Sequence, residues 1–228
     1  MTGSMPDLYD IDIVICLDGS RRMGPYLSMA KEEMAALLDT FVQTMEKKDQ
    51  EVAQLRARYI VFRDYACDGE PMVESPFFTL PEQYDAFRDY LDAVEPRGGG
   101  EAQNGLEALA LALLSDWTTG KEKLRQIVWI FSAGAELPLG ERADCPAYPG
   151  GLPKSFEELG DWWEGNGLPP GSSYQPSAGR LIAFVPKKEP WIGLDRWKRV
   201  LPAFLIERTG FRELNREAAA LVMASPNK

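Results

Sequence analysis

A chain of 228 residues, 45% hydrophobic and 26% charged, has the mix of one soluble globular domain or at most two small ones. Its formal net charge of −10 argues against nonspecific nucleic-acid binding and against anionic membrane surfaces. Histidine is absent, which excludes Ser–His–Asp and Cys–His catalysis, histidine-bound zinc and histidine pH switching.

Cys16, Cys67 and Cys145 are odd in number, widely spaced and form no C-x-x-C pair. They suggest a reduced, cytoplasmic protein with no structural zinc. No apolar run reaches the roughly 18 residues of a membrane span, and no secretory signal pattern opens the chain. Residues 1–5 read as a vector-derived or disordered N-terminus, and 6–228 as a single domain.

The first element is the most informative. Asp12-Ile13-Val14-Ile15-Cys16-Leu17 is an apolar, largely β-branched run that stops at Asp18-Gly19-Ser20-Arg21-Arg22-Met23. It predicts a buried strand over 11–17 with an acidic loop at its carboxyl end. From Met23 to Met45, Leu27, Ala30, Met34, Leu37, Leu38, Phe41 and Met45 recur at helical spacing. A second strand is expected over Ala57–Phe62, and a short edge strand at Phe77-Phe78. After Pro81 comes a helical stripe of Tyr84, Phe87, Leu91 and Val94.

Gly98-Gly99-Gly100 reads as a tight turn at the sheet edge. It is no P-loop, since no lysine-serine or lysine-threonine pair follows. Leu106, Leu109, Leu113 and Leu114 mark a third helix, and Ile127–Phe131 a third buried strand. Residues 134–180, rich in proline and glycine, read as a long insertion ordered by Tyr148, Phe156, Trp162, Trp163 and Tyr174. A short helix from Ser155 to Trp163 starts on a capping-box-like Ser155-Phe156-Glu157-Glu158. Leu181–Val185 is a further buried strand. Lys187-Lys188 and Arg196, Lys198 and Arg199 read as a solvated basic face. Leu214, Ala218, Leu221 and Val222 suggest a terminal helix. Strands buried on both faces and alternating with helices predict an α/β domain, doubly wound, with a mostly parallel central sheet flanked by helices and one short antiparallel edge strand.

The landmarks together resemble the von Willebrand factor A (VWA) domain. They are Asp12 to Met23, Phe62-Arg63-Asp64-Tyr65, Gly98-Gly99-Gly100-Glu101 with Gly105-Leu106-Glu107-Ala108-Leu109, and Phe131-Ser132-Ala133. The chain looks closest to bacterial intracellular members, including those encoded beside tellurium-resistance and kinase–phosphatase genes. The resemblance implies a Rossmann-like fold with a metal-ion-dependent adhesion site at the carboxyl edge of the sheet. The first loop of that site reads D-x-S/T-x-S. Asp18 and Ser20 match its first two positions, but Arg22 replaces the second hydroxyl. Glu101 falls near the second-loop ligand, and Ala133 replaces the third-loop aspartate.

Arginine stays protonated and offers donors only, so it cannot ligate a cation. The expectation is therefore no cofactor, with Mg²⁺ disfavoured; any residual metal would rest on Asp18, Ser20 and Glu101. Arg22 is expected either to reach Asp18 and Glu101 in place of the ion or to point to solvent.

The implied function is a non-enzymatic interaction module, a scaffold or adaptor. Its binding edge is Asp18, Ser20, Arg21, Arg22, Asp64, Gly100, Glu101 and Ser132. Its partner is a protein such as a kinase, phosphatase or ATPase of the same gene cluster, with no nucleic acid and no membrane. One alternative is a working, non-standard Mg²⁺ site. The other is a haloacid-dehalogenase-like phosphatase, whose nucleophilic aspartate is replaced here by Cys16.

Overall fold

The structure, a computed structural model, describes residues 7–28, 30–32, 34, 50–98, 100–204 and 221. The central sheet has seven strands. These are β1 (Asp7–Asp18), β2 (Gln50–Phe62), β3 (Met72–Glu74), β4 (Phe78–Leu80), β6 (Leu124–Phe131), β8 (Gly179–Val185) and β9 (Val200–Phe204). A separate two-stranded ladder joins β5 (Ala102–Gln103) to β7 (Ala135–Glu136). The order across the large sheet is β3-β2-β1-β6-β8-β9, and β4 also pairs with β2. The pairs β1–β2, β1–β6, β6–β8 and β8–β9 are parallel, whereas β3 and β4 run antiparallel to β2.

Alternation along β1 explains why the sheet is covered on both faces. Ile11, Ile13, Ile15 and Leu17 point to one side, into a core shared with Met23, Leu27, Ala30, Met34, Phe87 and Leu91. Val14 and Cys16 point to the other, into a core with Leu106, Leu109, Leu113, Leu159, Trp162 and Trp163. The first core is closed by helical residues at 24–28, 30–32 and 34 (α1) and by α2 (Tyr84–Asp92). The second is closed by α3 (Gly105–Leu113) and α4 (Phe156–Trp163). Fully burying one Ile, Val or Leu stabilises the fold by about 1.5–3 kcal/mol, so these two layers dominate folding.

Midway along β1, Asp12 shares the side of Val14. Its carboxylate accepts two hydrogen bonds from Arg56, at 2.8 and 2.7 Å, and further bonds from the Thr118 amide and hydroxyl. That pairing satisfies a carboxylate that the sheet would otherwise bury alone.

The expected strands are all present, several of them longer than predicted; the short edge strand begins at Phe78 rather than Phe77. The sequence does not announce strands β3, β5, β7 and β9. Pro202 in β9 lacks the amide of a central strand, but β9 lies at the end of the strand order, where proline is tolerated. Within 134–180, Trp162, Trp163 and Tyr174 are buried, and Tyr148 and Phe156 lie against the same core. The Leu37–Met45 part of the first helix, residues 1–5, Gly99, and the terminal helix apart from Leu221 lie outside the described residues. Among the described residues, no helix is long and apolar enough to cross a membrane.

Ser155 caps α4 by accepting a hydrogen bond from the Glu158 amide at 3.1 Å. The box is not reciprocal, because the Glu158 carboxylate accepts from the Lys154 amide at 2.8 Å instead. Ser155→Ala is expected to cost about 1 kcal/mol, read as a lower urea midpoint at unchanged slope.

Candidate functional site

The winding direction reverses at β1, which has β2 on one side and β6 on the other. In open α/β sheets the crevice outside the carboxyl ends of such strands is the usual binding position. Asp18 ends β1 there, and Ser132 follows β6.

Asp18 is fully buried. Its Oδ1 accepts from the Ser20 amide at 2.8 Å, an Asx-type turn that reverses the chain. Its Oδ2 accepts from the Ala133 amide at 3.3 Å and lies 3.5 Å from Ser132 Oγ. Burial pushes the Asp18 carboxyl above its ordinary range, partly offset by Ser20, Ala133 and Ser132. The Ser20 hydroxyl is buried nearby but has no partner at hydrogen-bonding geometry.

Ser132 Oγ also lies 2.8 Å from Glu136 Oε1, while Glu136 Oε2 accepts from the Gly105 amide at the start of α3, at 2.7 Å. Burial raises Glu136 well above the usual carboxylate range; the Ser132 and Gly105 bonds oppose this, and the charges of Asp18 and Glu107 add to it. One hydroxyl hydrogen cannot serve two carboxylates. A proton on Glu136 resolves the conflict: Glu136 donates to Ser132, and Ser132 donates to Asp18. Glu107, fully buried on α3, is also raised by burial. Its Oε1 accepts from Tyr148 Oη at 3.0 Å and from the Gly140 amide at 3.3 Å.

Arg21–Met23 form a single 3-10 turn after the Ser20 cap. This turn buries Met23 and leaves Arg21 and Arg22 exposed. Of the two placements expected of Arg22, the ion pair with Asp18 is not formed and the side chain is exposed. The acceptors of Asp18 are occupied by amides and a hydroxyl, and neither arginine meets a carboxylate among the described residues. Glu101 is exposed and makes no bond to Asp18 or Arg22.

Asp64, after β2, is only 1% exposed. Arg142, reaching over from the insertion, donates to both of its oxygens at 2.8 and 3.2 Å. Burial raises the Asp64 carboxyl, but the bonds from Arg142, the Ala66 amide and Cys67 outweigh it and hold the group below its ordinary value. Gly100 packs on this side chain so closely that an added Cβ would sit 2.7 Å from the Asp64 Cβ. The edge therefore has buried Asp18, Ser20, Asp64 and Ser132 beneath, Gly100 half-buried, and Arg21, Arg22 and Glu101 on the surface.

The neighbouring Arg63, 3% exposed, holds the loops of this edge together. Its guanidinium donates to the carbonyls of Gly19 at 3.0 Å, Glu70 at 3.3 Å and Glu95 at 3.4 Å. Gly19 must lack a side chain, because a Cβ would lie 2.6 Å from Arg63 Nη2.

No family model and no curated protein matches this chain. Several solved structures are similar to it, two of them as follows. One is proximal thread matrix protein 1 of the mussel byssus, with 14% identity over 95% of this chain and 48% of that one, at a TM-score of 0.49. The other is the pilus adhesin SpaC from Lactobacillus rhamnosus GG, with 12% identity over 99% of this chain and 28% of that one, at 0.48. The chain thus spans about half the length of the first and about a quarter of the second.

Mg²⁺ takes near-octahedral oxygen ligation, commonly one or two carboxylates completed by waters. Asp18 supplies a carboxylate already bonded by protein donors, Ser20 a hydroxyl, and Arg22 and Ala133 no side-chain oxygen. Among the described residues, no group of three or more histidine, cysteine, aspartate or glutamate side chains is arranged to hold a metal ion.

Proposed function

We propose that this chain is a non-enzymatic protein-interaction module of the VWA type, a cytoplasmic scaffold or adaptor that binds an acidic group of a partner at the carboxyl edge of its sheet. The observation that carries the reading is the exposed Arg21–Arg22 pair above a buried carboxylate with internally bonded oxygens. In a protein of net charge −10, these cations form a local positive pole. Lys187 and Lys188, exposed just past the carboxyl end of β8, extend it. Where relatives of the VWA type use a divalent ion to receive a partner's acid, fixed guanidinium groups do so here without metal. A kinase, phosphatase or ATPase of the same gene cluster is the expected partner class.

The test is a pull-down in chelator with wild type and an Arg21→Glu, Arg22→Glu double variant, followed by affinity measurement on the captured partner. Charge reversal is expected to weaken binding at least about tenfold, or about 1.4 kcal/mol, through loss of steering and of charge-assisted bonds. Equal capture by both proteins removes the edge from the interaction.

A second reading, a non-standard Mg²⁺ site, draws on the buried and partnerless Ser20 hydroxyl beside Asp18. Micromolar Mg²⁺ or Mn²⁺ binding by calorimetry would establish it in place of the metal-free account. A phosphatase of the haloacid-dehalogenase type has little support. Cys16, at the nucleophile's position, is fully buried, its thiol is raised by burial, and its Sγ lies 3.5 Å from the Ala108 carbonyl oxygen.

A further inference from the structure

A cleft of about 240 Å³ opens between the carboxyl end of β2, strand β3 and the chain leaving α2. Val61, Val73 and Val94 make its wall apolar. Two polar groups that line it have bonding capacity to spare. A guanidinium carries five N–H donors, and Arg63 commits three of them to the carbonyls of Gly19, Glu70 and Glu95. Arg63 is only 3% exposed, and no carboxylate hydrogen-bonds it among the described residues, although Asp68, Glu70 and Asp18 lie within electrostatic reach. The Tyr90 hydroxyl is buried and also has no partner. A guanidinium withdrawn from water without a bonded counter-ion is costly, and an anion entering the cleft would offset that cost.

The rim carries the complementary charge. Arg97 and Glu70 bond each other. Glu95 is exposed and meets no cation among the described residues. Spare guanidinium donors thus lie inside and an unpaired carboxylate at the rim, with valines between them.

We infer that this cleft binds a free α-amino acid with a branched aliphatic or aromatic side chain. Its carboxylate takes the spare N–H groups of Arg63 and the Tyr90 hydroxyl, its ammonium faces Glu95, and its side chain lies on the valines. A volume of about 240 Å³ is the scale of one small ligand rather than a peptide. A carboxylic acid alone leaves Glu95 unmet, and an amine alone leaves Arg63 unmet. The cleft adjoins the proposed interaction edge through Arg63, but the inference does not rest on that proposal.

Methyl NMR titration of the full chain with L-leucine, N-acetyl-L-leucine and L-leucinamide tests the inference. L-leucine is expected to shift the Val61, Val73 and Val94 methyls saturably, with a Kd of about 0.1–1 mM. Masking either charged end is expected to weaken binding about tenfold or more, and so is Glu95→Gln for L-leucine. Ala93→Trp, at an exposed position lining the cleft, is expected to abolish the shifts while the thermal unfolding curve stays in place. The absence of saturable shifts at about 10 mM L-leucine overturns the inference, as does N-acetyl-L-leucine binding as tightly as L-leucine.

Discussion

Arg63→Ala is expected to destabilise the protein by about 3–5 kcal/mol, read from urea unfolding at neutral pH. Three carbonyls from separate stretches of chain converge on one guanidinium, and all three belong to loops with no regular structure. Leaving a buried acceptor unpaired costs about 1–3 kcal/mol, and truncating a large buried side chain adds the loss of packing. The Gly19 carbonyl keeps a second donor in the Arg97 amide at 3.0 Å, so the total stays below three full penalties. Arg63→Lys is expected to recover only part of the loss, since a single ammonium cannot spread to three acceptors as a planar guanidinium does. The same substitution should loosen the Asp18 loop, because Gly19 is held from both sides: its amide donates to the Phe62 carbonyl at 2.9 Å, and its carbonyl accepts from Arg63. Amide exchange at Gly19 and Ser20 should therefore accelerate more than exchange in the core of β1. A loss of stability within about 0.5 kcal/mol, with slow exchange retained, would show that Arg63 is not what joins these loops.

The frame of the domain was readable in the sequence because apolar period and strand burial are local signals. Ile11, Ile13, Ile15 and Leu17 alternate with Asp12, Val14 and Cys16, and both sets are buried because helices cover both faces. The position of the acidic loop followed from the strand ending at Asp18. The interior of the site was not readable, since its partners are distant in sequence. Arg142 meets Asp64 across 78 positions, and Tyr148 meets Glu107 across 41. Glu136 gave a weak signal, an acid three positions past Ala133, where relatives of the resembled family carry an aspartate. Of the two placements open to Arg22, exposure was decided locally. The 3-10 turn spends its inward position on Met23, so both arginines must face water. Arg63 was quoted only as part of a landmark. Nothing in its neighbours foretold that it would bond backbone rather than a carboxylate.

Glu136→Gln is expected to stabilise the protein at pH 8 by about 1–3 kcal/mol and to change little at pH 4, the scale of desolvating a buried polar group. In the fold, burial and the nearby charges of Asp18 and Glu107 hold the Glu136 proton to higher pH than in the unfolded chain. Below the unfolded value of about 4.3, both states carry the proton and no penalty exists. As pH rises above it, the unfolded chain releases its proton while the native state keeps one, so native stability falls until pH passes the raised folded value. Glutamine cannot ionise, and its amide can reproduce the protonated geometry. Its oxygen accepts from the Gly105 amide, its NH₂ donates to Ser132, and Ser132 donates to Asp18. Asp18 and Glu107 are raised in the same direction and keep part of the slope in the variant. Asp64, held low by Arg142, acts oppositely: its contribution is present above its unfolded value and is lost as pH falls. That acid-side loss is common to both proteins and cancels in the difference between them. Urea unfolding at pH 4, 6 and 8 should give curves for wild type and variant that converge in acid and separate in base. Parallel curves would mean that Glu136 is ionised at neutral pH, and the proton shared through Ser132 would then have to be abandoned.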